Sequence, residues 1–310
     1  MPKPAVQIPA EYVIPINMNG LRGRMLRLPA KNKKKREILL VYGHHTSLER
    51  MYGVAEVLND YGAVTMPDLP GFGGMDSFYT IHEKPTLDNL AGYLASFIKL
   101  RYKNKRLTIM GFSFGFIVVT RMLQLYPELE KQVDLLISSV GFSHKDDFTF
   151  TKTRYFFYRS GARVFSHKIP AVFFRNIFLH PTVLKAVYHR LHNAKEKFEG
   201  LDAQARAATN DFEVYLWRVN DVRTHMTTTV EFLKVDNTKK KLSVPLAHVT
   251  VAADKYFDGQ RVEQNLRKIF DDVSVYTAST TSHSPSIIGE KKFASVIFPP
   301  QLRKRLARKP

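Results

Sequence analysis

Leu107-Thr108-Ile109-Met110 is followed by Gly111-Phe112-Ser113-Phe114-Gly115, and then by Ile117-Val118-Val119-Thr120-Arg121-Met122-Leu123. The first segment is a short apolar run of the kind that forms a buried strand, and the last reads as the start of a helix. A G-x-S-x-G pentapeptide between strand and helix is a nucleophile elbow, a turn so sharp that its serine sits at a strained backbone angle. Small residues two before and two after the serine keep the turn free of clashes. The hydroxyl is lifted above the sheet, beside the first helical turn. A serine hydroxyl is a weak nucleophile until a nearby base takes its proton, so a histidine and an acid are expected later in the chain.

Both follow, in the order Ser, Asp, His. Val249-Thr250-Val251-Ala252-Ala253-Asp254 puts an acid just past a strand, and Thr280-Thr281-Ser282-His283 puts a histidine in the loop after the next one, Val273 to Tyr276. In a parallel sheet, Ser113, Asp254 and His283 then share the C-terminal edge, where open α/β sheets place ligands. His283 is suited to take the serine proton and return it to a leaving group. A buried Asp254 would hold the imidazole tautomer and stabilise the imidazolium. Asp258 is a rival acid, but Asp254 lies closer to the strand end. A tetrahedral oxyanion needs two donors, expected from the backbone N–H of Phe114 and from the N–H of His44 in the loop after Tyr42-Gly43.

The rest of the chain supplies the frame. Residues 12–28 read as a β-hairpin turning at Asn19-Gly20. Lys31 to Arg36 reads as a solvated connection, Glu37 to Tyr42 as a buried strand, and Leu48 to Tyr61 as a helix stopped by Gly62. Ala63 to Met66 is a further strand, followed by a turn-rich loop, Pro67 to Gly74, in which Asp68 is expected to bond local backbone. Thr86 to Leu100 reads as a helix and Val133 to Val140 as a strand. From about Asp147 to Leu242 no buried strand is legible. Residues 148–178 carry ten Phe or Tyr mixed with Arg and Lys, which suits the core of a helical unit. Pro181 to Lys197 and Leu201 to Val219 read as helices, and Ser286 to Phe298 as a closing helix. The expected class is therefore α/β, a mostly parallel sheet with helices on both faces and an inserted helical cap. Its core is 1–146 and 245–310, and its cap is 147–244.

These motifs together resemble the α/β-hydrolase superfamily, of the capped serine esterase and lipase type, over roughly 12–142 and 245–300. Tyr42-Gly43-His44 is similar to the family's His-Gly-x oxyanion turn, with Tyr in place of the first His. Asp68-Leu69-Pro70-Gly71-Phe72-Gly73 matches the loop after the fourth strand, and Asp254 stands where the family has its acid. His283 follows Ser282 rather than the usual Gly. The resemblance implies a cofactor-independent serine hydrolase acting on a carboxylic ester or thioester. Alternatives are a triad enzyme acting on C–C or amide bonds or transferring acyl groups, and a catalytically silent protein that binds a membrane or nucleic acid. Substrate identity is not carried over, because the cap resembles no subfamily.

Composition narrows the setting. The chain has 310 residues, 44% of them apolar, enough for a sizeable core. It has no cysteine, which excludes disulfides and thiolate metal sites and suits a reducing cytoplasm. Met1 to Pro9 holds no uninterrupted apolar run, so no secretory leader is expected. No G-x-G-x-x-G or Walker pattern occurs, so no nucleotide cofactor is expected. His167, His180, His189 and His192 lack partners at metal-ligand spacing and read as ordinary cap residues. Lys plus Arg number 47 against 28 Asp plus Glu, a net charge of +19. The excess is uneven: residues 21–36 hold eight basic groups and no acid, and the tail from Arg303 is similarly basic. Between Thr151 and Lys197 there are ten basic residues and one acid, Glu196. The expected partners are a small ester or acyl substrate and an anionic membrane surface at which a cytoplasmic protein docks peripherally; nucleic acid is the less favoured polyanion.

Overall fold

The computed structural model describes residues 7–31, 36–180, 182–184, 203–280, 283 and 290–308. Most of the expected helix from Pro181 to Lys197, with His189 and His192, lies outside these residues. So do Lys33 to Lys35 and the start of the helix expected from Ser286.

Eight strands form one sheet: β1 (Val13–Met18), β2 (Leu21–Leu28), β3 (Glu37–Val41), β4 (Ala63–Pro67), β5 (Leu107–Phe112), β6 (Val133–Ser139), β7 (Leu246–Thr250) and β8 (Val273–Thr277). Their order is β1-β2-β4-β3-β5-β6-β7-β8. β1 and β2 make the expected hairpin, with Met18 opposite Leu21 and positive φ at both Asn19 and Gly20. Two successive left-handed residues give a turn whose twist matches the flanking strands, and Asn-Gly tolerates them best. β2 pairs antiparallel with β4, and every later pairing is parallel. β4 and β5 are buried at every residue, which is why they read as continuous apolar runs. Each fully buried Leu, Ile or Val contributes about 1.5–3 kcal/mol.

The strand order decides where the helices go. α1 (Leu48–Asn59) connects β3 to β4, and α2 (Leu87–Tyr102) connects β4 back across to β5. Right-handed crossovers in opposite directions put these two helices on opposite faces of the sheet. α3 (Phe114–Leu125) runs the same way as α2 and packs against it. The β6–β7 connection carries α4 (Lys152–Phe165), α5 (Lys168–Ile177), α6 (Ala203–Val219) and α7 (Val222–Phe232). Among the described residues, no strand of the sheet falls between 147 and 244. α8 (Gly259–Ile269) connects β7 to β8, and α9 (Lys291–Ala294) packs on α1. No helix among the described residues is long and apolar enough to cross a membrane.

One basic segment differs from expectation, and a second adds a helix that was not expected. Arg36 is buried rather than solvated: it pairs with Asp134 at 3.1 Å and donates to the Arg308 carbonyl at 2.7 Å. The basic tail is α10 (Pro300–Ala307), with Leu302 and Leu306 buried and Arg303 bonded to the carbonyls of Phe298 and Ser295. Leucines four apart make one helix face, and Lys and Arg on the other masked that signal.

Candidate active site

Ser113 stands between β5 and α3 with φ 48° and ψ −113°, a left-handed conformation unfavourable for a residue with a Cβ. The flanking glycines explain how the turn closes. A Cβ on Gly111 would lie 2.6 Å from the Phe116 Cα, and one on Gly115 2.3 Å from the Val41 carbonyl oxygen. Both positions are closed to any side chain by backbone.

Three side chains meet at the C-terminal edge. The Ser113 hydroxyl lies 3.1 Å from His283 Nε2, and His283 Nδ1 lies 2.7 Å from Asp254 Oδ2. Burial by itself would raise the Asp254 carboxyl. The hydrogen bond and charge of His283, with the N–H groups of Tyr256 and Phe257, outweigh burial and hold it below the usual carboxylate range. An ionised carboxylate only accepts, so Nδ1 carries the proton and Nε2 is left to accept from the serine hydroxyl. Asp258 does something else: it caps α8, accepting from the N–H groups of Gln260 and Arg261.

The loop after β3 lies against Ser113. A Cβ on Gly43 would sit 3.4 Å from the Ser113 Cβ. The His44 ring points into the same space, with Nε2 2.9 Å from the Thr228 hydroxyl and 3.2 Å from the His225 carbonyl. Burial, reinforced by neighbouring His45, pushes His44 down to about 3, so its ring is neutral. Phe114 is the first residue of α3, so its N–H belongs to the first turn, where helix donors lack helical acceptors.

Asp68 was expected to form a local turn, and instead it anchors this loop from beneath. It is fully buried, receives the Tyr42 hydroxyl at 2.9 Å, and pairs with Arg24 at 2.9 Å. Arg24 also grips Glu49 with two bonds, at 2.6 and 3.0 Å. Gly73, at φ +63°, lets its backbone approach: a Cβ there would lie 1.9 Å from Asp68 Oδ1. Sequence spacing carried no sign of this network, because its members come from four separate segments. Burial pushes the Asp68 carboxyl up to about 8, although Arg24 opposes it. The folded value thus lies above the unfolded one of about 4. The folded state keeps a proton that the unfolded state has lost, so this contribution is full below about pH 4 and lost as pH rises toward about 8. Asp68→Asn should therefore flatten the dependence of Tm on pH between about 5 and about 8. Equal slopes for the two proteins in thermal melts would contradict the assignment.

Above Ser113 is a cavity of about 520 Å³. Its core side is Phe112, Phe114, Phe142, Phe148 and Phe257, and its far side is Phe157, Tyr158, Phe165, Met226 and Phe232. Phe142 stacks on Phe257 at 4.5 Å and Phe148 on Phe232 at 5.9 Å. Tyr256 and Phe257 flank the His283 ring at 5.1 and 5.2 Å. Tyr256, Phe257 and His225, which sits against His44, join the site without any motif in the sequence that names them. Two aromatics within three residues of Asp254 were an available signal; nothing marked His225. His167 begins α5 and the exposed His180 lies just beyond that helix; neither lines the cavity. Among the described residues, no cluster of three or more His, Cys, Asp or Glu has metal-holding geometry.

No family model matches the sequence, and no curated protein matches it. Solved structures do match. An esterase from Exiguobacterium antarcticum superposes with a TM-score of 0.66 at 14% identity, covering 94% of this chain and 97% of the esterase. The enol-lactonase from Burkholderia xenovorans superposes at 0.65 with 10% identity, covering 94% of this chain and 99% of that one. An epoxide hydrolase superposes at 0.59 with 14% identity, covering 92% and 95%. The chain has the α/β-hydrolase fold. Since these neighbours include an epoxide hydrolase beside an esterase and an enol-lactonase, the fold leaves the reaction to be argued from the site.

Proposed function

We propose that the protein is a serine hydrolase that cleaves a carboxylic ester or thioester through an acyl-enzyme on Ser113. The observation that carries this reading is the relay from Ser113 through His283 to Asp254, at 3.1 and 2.7 Å, on the floor of a largely apolar cavity. Ser113 Oγ attacks the carbonyl carbon while His283 Nε2 takes its proton. The tetrahedral oxyanion is received by the backbone N–H groups of Phe114 and His44, a contribution of about 3–4 kcal/mol per donor in comparable sites. Collapse breaks the bond to the alcohol or thiol, which leaves with the proton from His283. Water then gives a proton to His283 and its oxygen to the acyl carbon, and the acid departs as Ser113 regains its hydrogen. Asp254 stays ionised throughout and stabilises the imidazolium.

Residues 147–244 act as the lid in this reading, because the far wall of the cavity comes from α4 and α7. Its ring-lined surface favours an acyl or aromatic group over a charged one. A fluorophosphonate probe should label Ser113, located by peptide mass spectrometry. p-Nitrophenyl esters should be turned over faster as the acyl chain lengthens beyond acetate. An unlabelled Ser113 together with inertness toward every chain length would overturn the proposal.

A further inference from the structure

α5 carries apolar residues on more of its circumference than the fold uses. Ala171 is buried, and Phe174 packs with Val214 and Val222. On the other side stand Ile169, Val172, Phe173 and Ile177, at i, i+3, i+4 and i+8, which places them on one face. Ile169 is 82% exposed and Phe173 54%. α4, which packs on α5, exposes rings of its own: Phe156 is 65% and Phe157 68% exposed. Isolated exposed apolar residues are ordinary, but a contiguous apolar face is not.

The charge around this face has one sign. Between Phe148 and His180 the chain has no Asp or Glu. Lys152, Arg154, Arg163, Lys168 and Arg175 are exposed there. On α5, Lys168 and Arg175 flank the apolar side, seven residues apart, on adjoining positions of the helix wheel. Apolar rings bordered by long cations suit the boundary between acyl chains and anionic headgroups. A protein partner of matching shape would need an acidic rim, whereas a bilayer supplies both chemistries over its whole surface.

Phe157 and Tyr158 tie the surface to the cavity. Both line it while Phe157 is 68% and Tyr158 48% exposed, so they stand at its mouth. We propose that the outer face of α4 and α5 docks on an anionic lipid bilayer and turns the mouth of the cavity toward an acylated amphiphile held there. The substrate class rests on the hydrolase reading above; the docking does not.

The test is co-sedimentation with phosphatidylcholine vesicles, with and without phosphatidylglycerol, at low and high sodium chloride. The full chain should bind the anionic vesicles, bind neutral ones poorly, and detach as salt rises. Ile169→Glu/Phe173→Glu should lower vesicle binding roughly ten-fold or more, since a branched chain and a ring that would enter the bilayer interface are replaced by charges that anionic headgroups repel. Arg163→Glu/Lys168→Glu should weaken binding and reduce its salt dependence. Neither pair lines the cavity, so both variants should hydrolyse a soluble short-chain ester at the wild-type rate, which also shows that they fold. Ser113→Ala should bind vesicles like the wild type. Failure to bind either vesicle, or unchanged binding by Ile169→Glu/Phe173→Glu, overturns the docking. So does displacement by duplex DNA at equal phosphate, or a homodimer that this variant dissociates in sedimentation. Soluble-ester turnover without vesicle binding sinks the docking and leaves the hydrolase; vesicle binding without any turnover does the reverse.

Discussion

Ser113→Ala should lower kcat for ester hydrolysis on the order of 10⁴-fold or more, because the attacking atom is gone and the remaining members cannot act without it. The fold should survive the change. Alanine has a Cβ like serine, so the φ of 48° costs it about as much. Glycine is different. It adopts this conformation freely, and relief of strain on the order of 1–3 kcal/mol should give Ser113→Gly a higher Tm than Ser113→Ala. Both variants should be inactive and refuse the fluorophosphonate label. Purified Ser113→Ala that keeps most of the wild-type rate would remove Ser113 from the chemistry. Equal melting of the two variants would show that the turn stores no strain at this residue.

The second large effect separates two carboxylates four residues apart. Asp254→Asn should lower kcat by roughly 10⁴, since an amide can donate to His283 Nδ1 and hold the ring in the wrong tautomer. Asp258→Asn should leave kcat within roughly two-fold, because asparagine caps a helix about as well as aspartate. Its target is the start of α8, where Asp258 accepts two backbone N–H groups. Steady-state kinetics on a soluble ester decides between them. Comparable losses, or a larger one at Asp258, would show that the hydrogen bond from His283 to Asp254 is not the one that matters.

The difference between these two acids illustrates what a linear sequence does and does not carry. Both lie in the loop after β7, and both are near enough to its end to be considered. What separates them is the path of the chain. Ala253 takes a positive φ of 55°, and Asp254 follows it toward His283, while Asp258 begins a helix pointing elsewhere. Asp68 repeats the lesson. Its neighbours Pro67, Leu69 and Pro70 describe a turn, and its bonding partners Tyr42 and Arg24 are 26 and 44 residues away.

Local rules determined much of this protein. The run through Gly111 to Gly115 specified a strand, a forced turn and a helix; backbone of the same turn crowds Gly111 at Phe116, while Gly115 is crowded by Val41 of β3. Asn19-Gly20 set the hairpin, and continuous apolar runs marked the parallel strands, since a strand covered on both faces has no polar side to show. The order Ser113, Asp254, His283 followed from strand ends that share one edge of a parallel sheet. Tertiary structure alone decided the rest: that Arg36 and Asp68 are buried, that α4 and α7 wall the cavity, and that α5 keeps an apolar face outward. Each of these depends on contacts between segments far apart in the chain. Burial and hydrogen bonding act through space, and a residue's sequence neighbours do not report them.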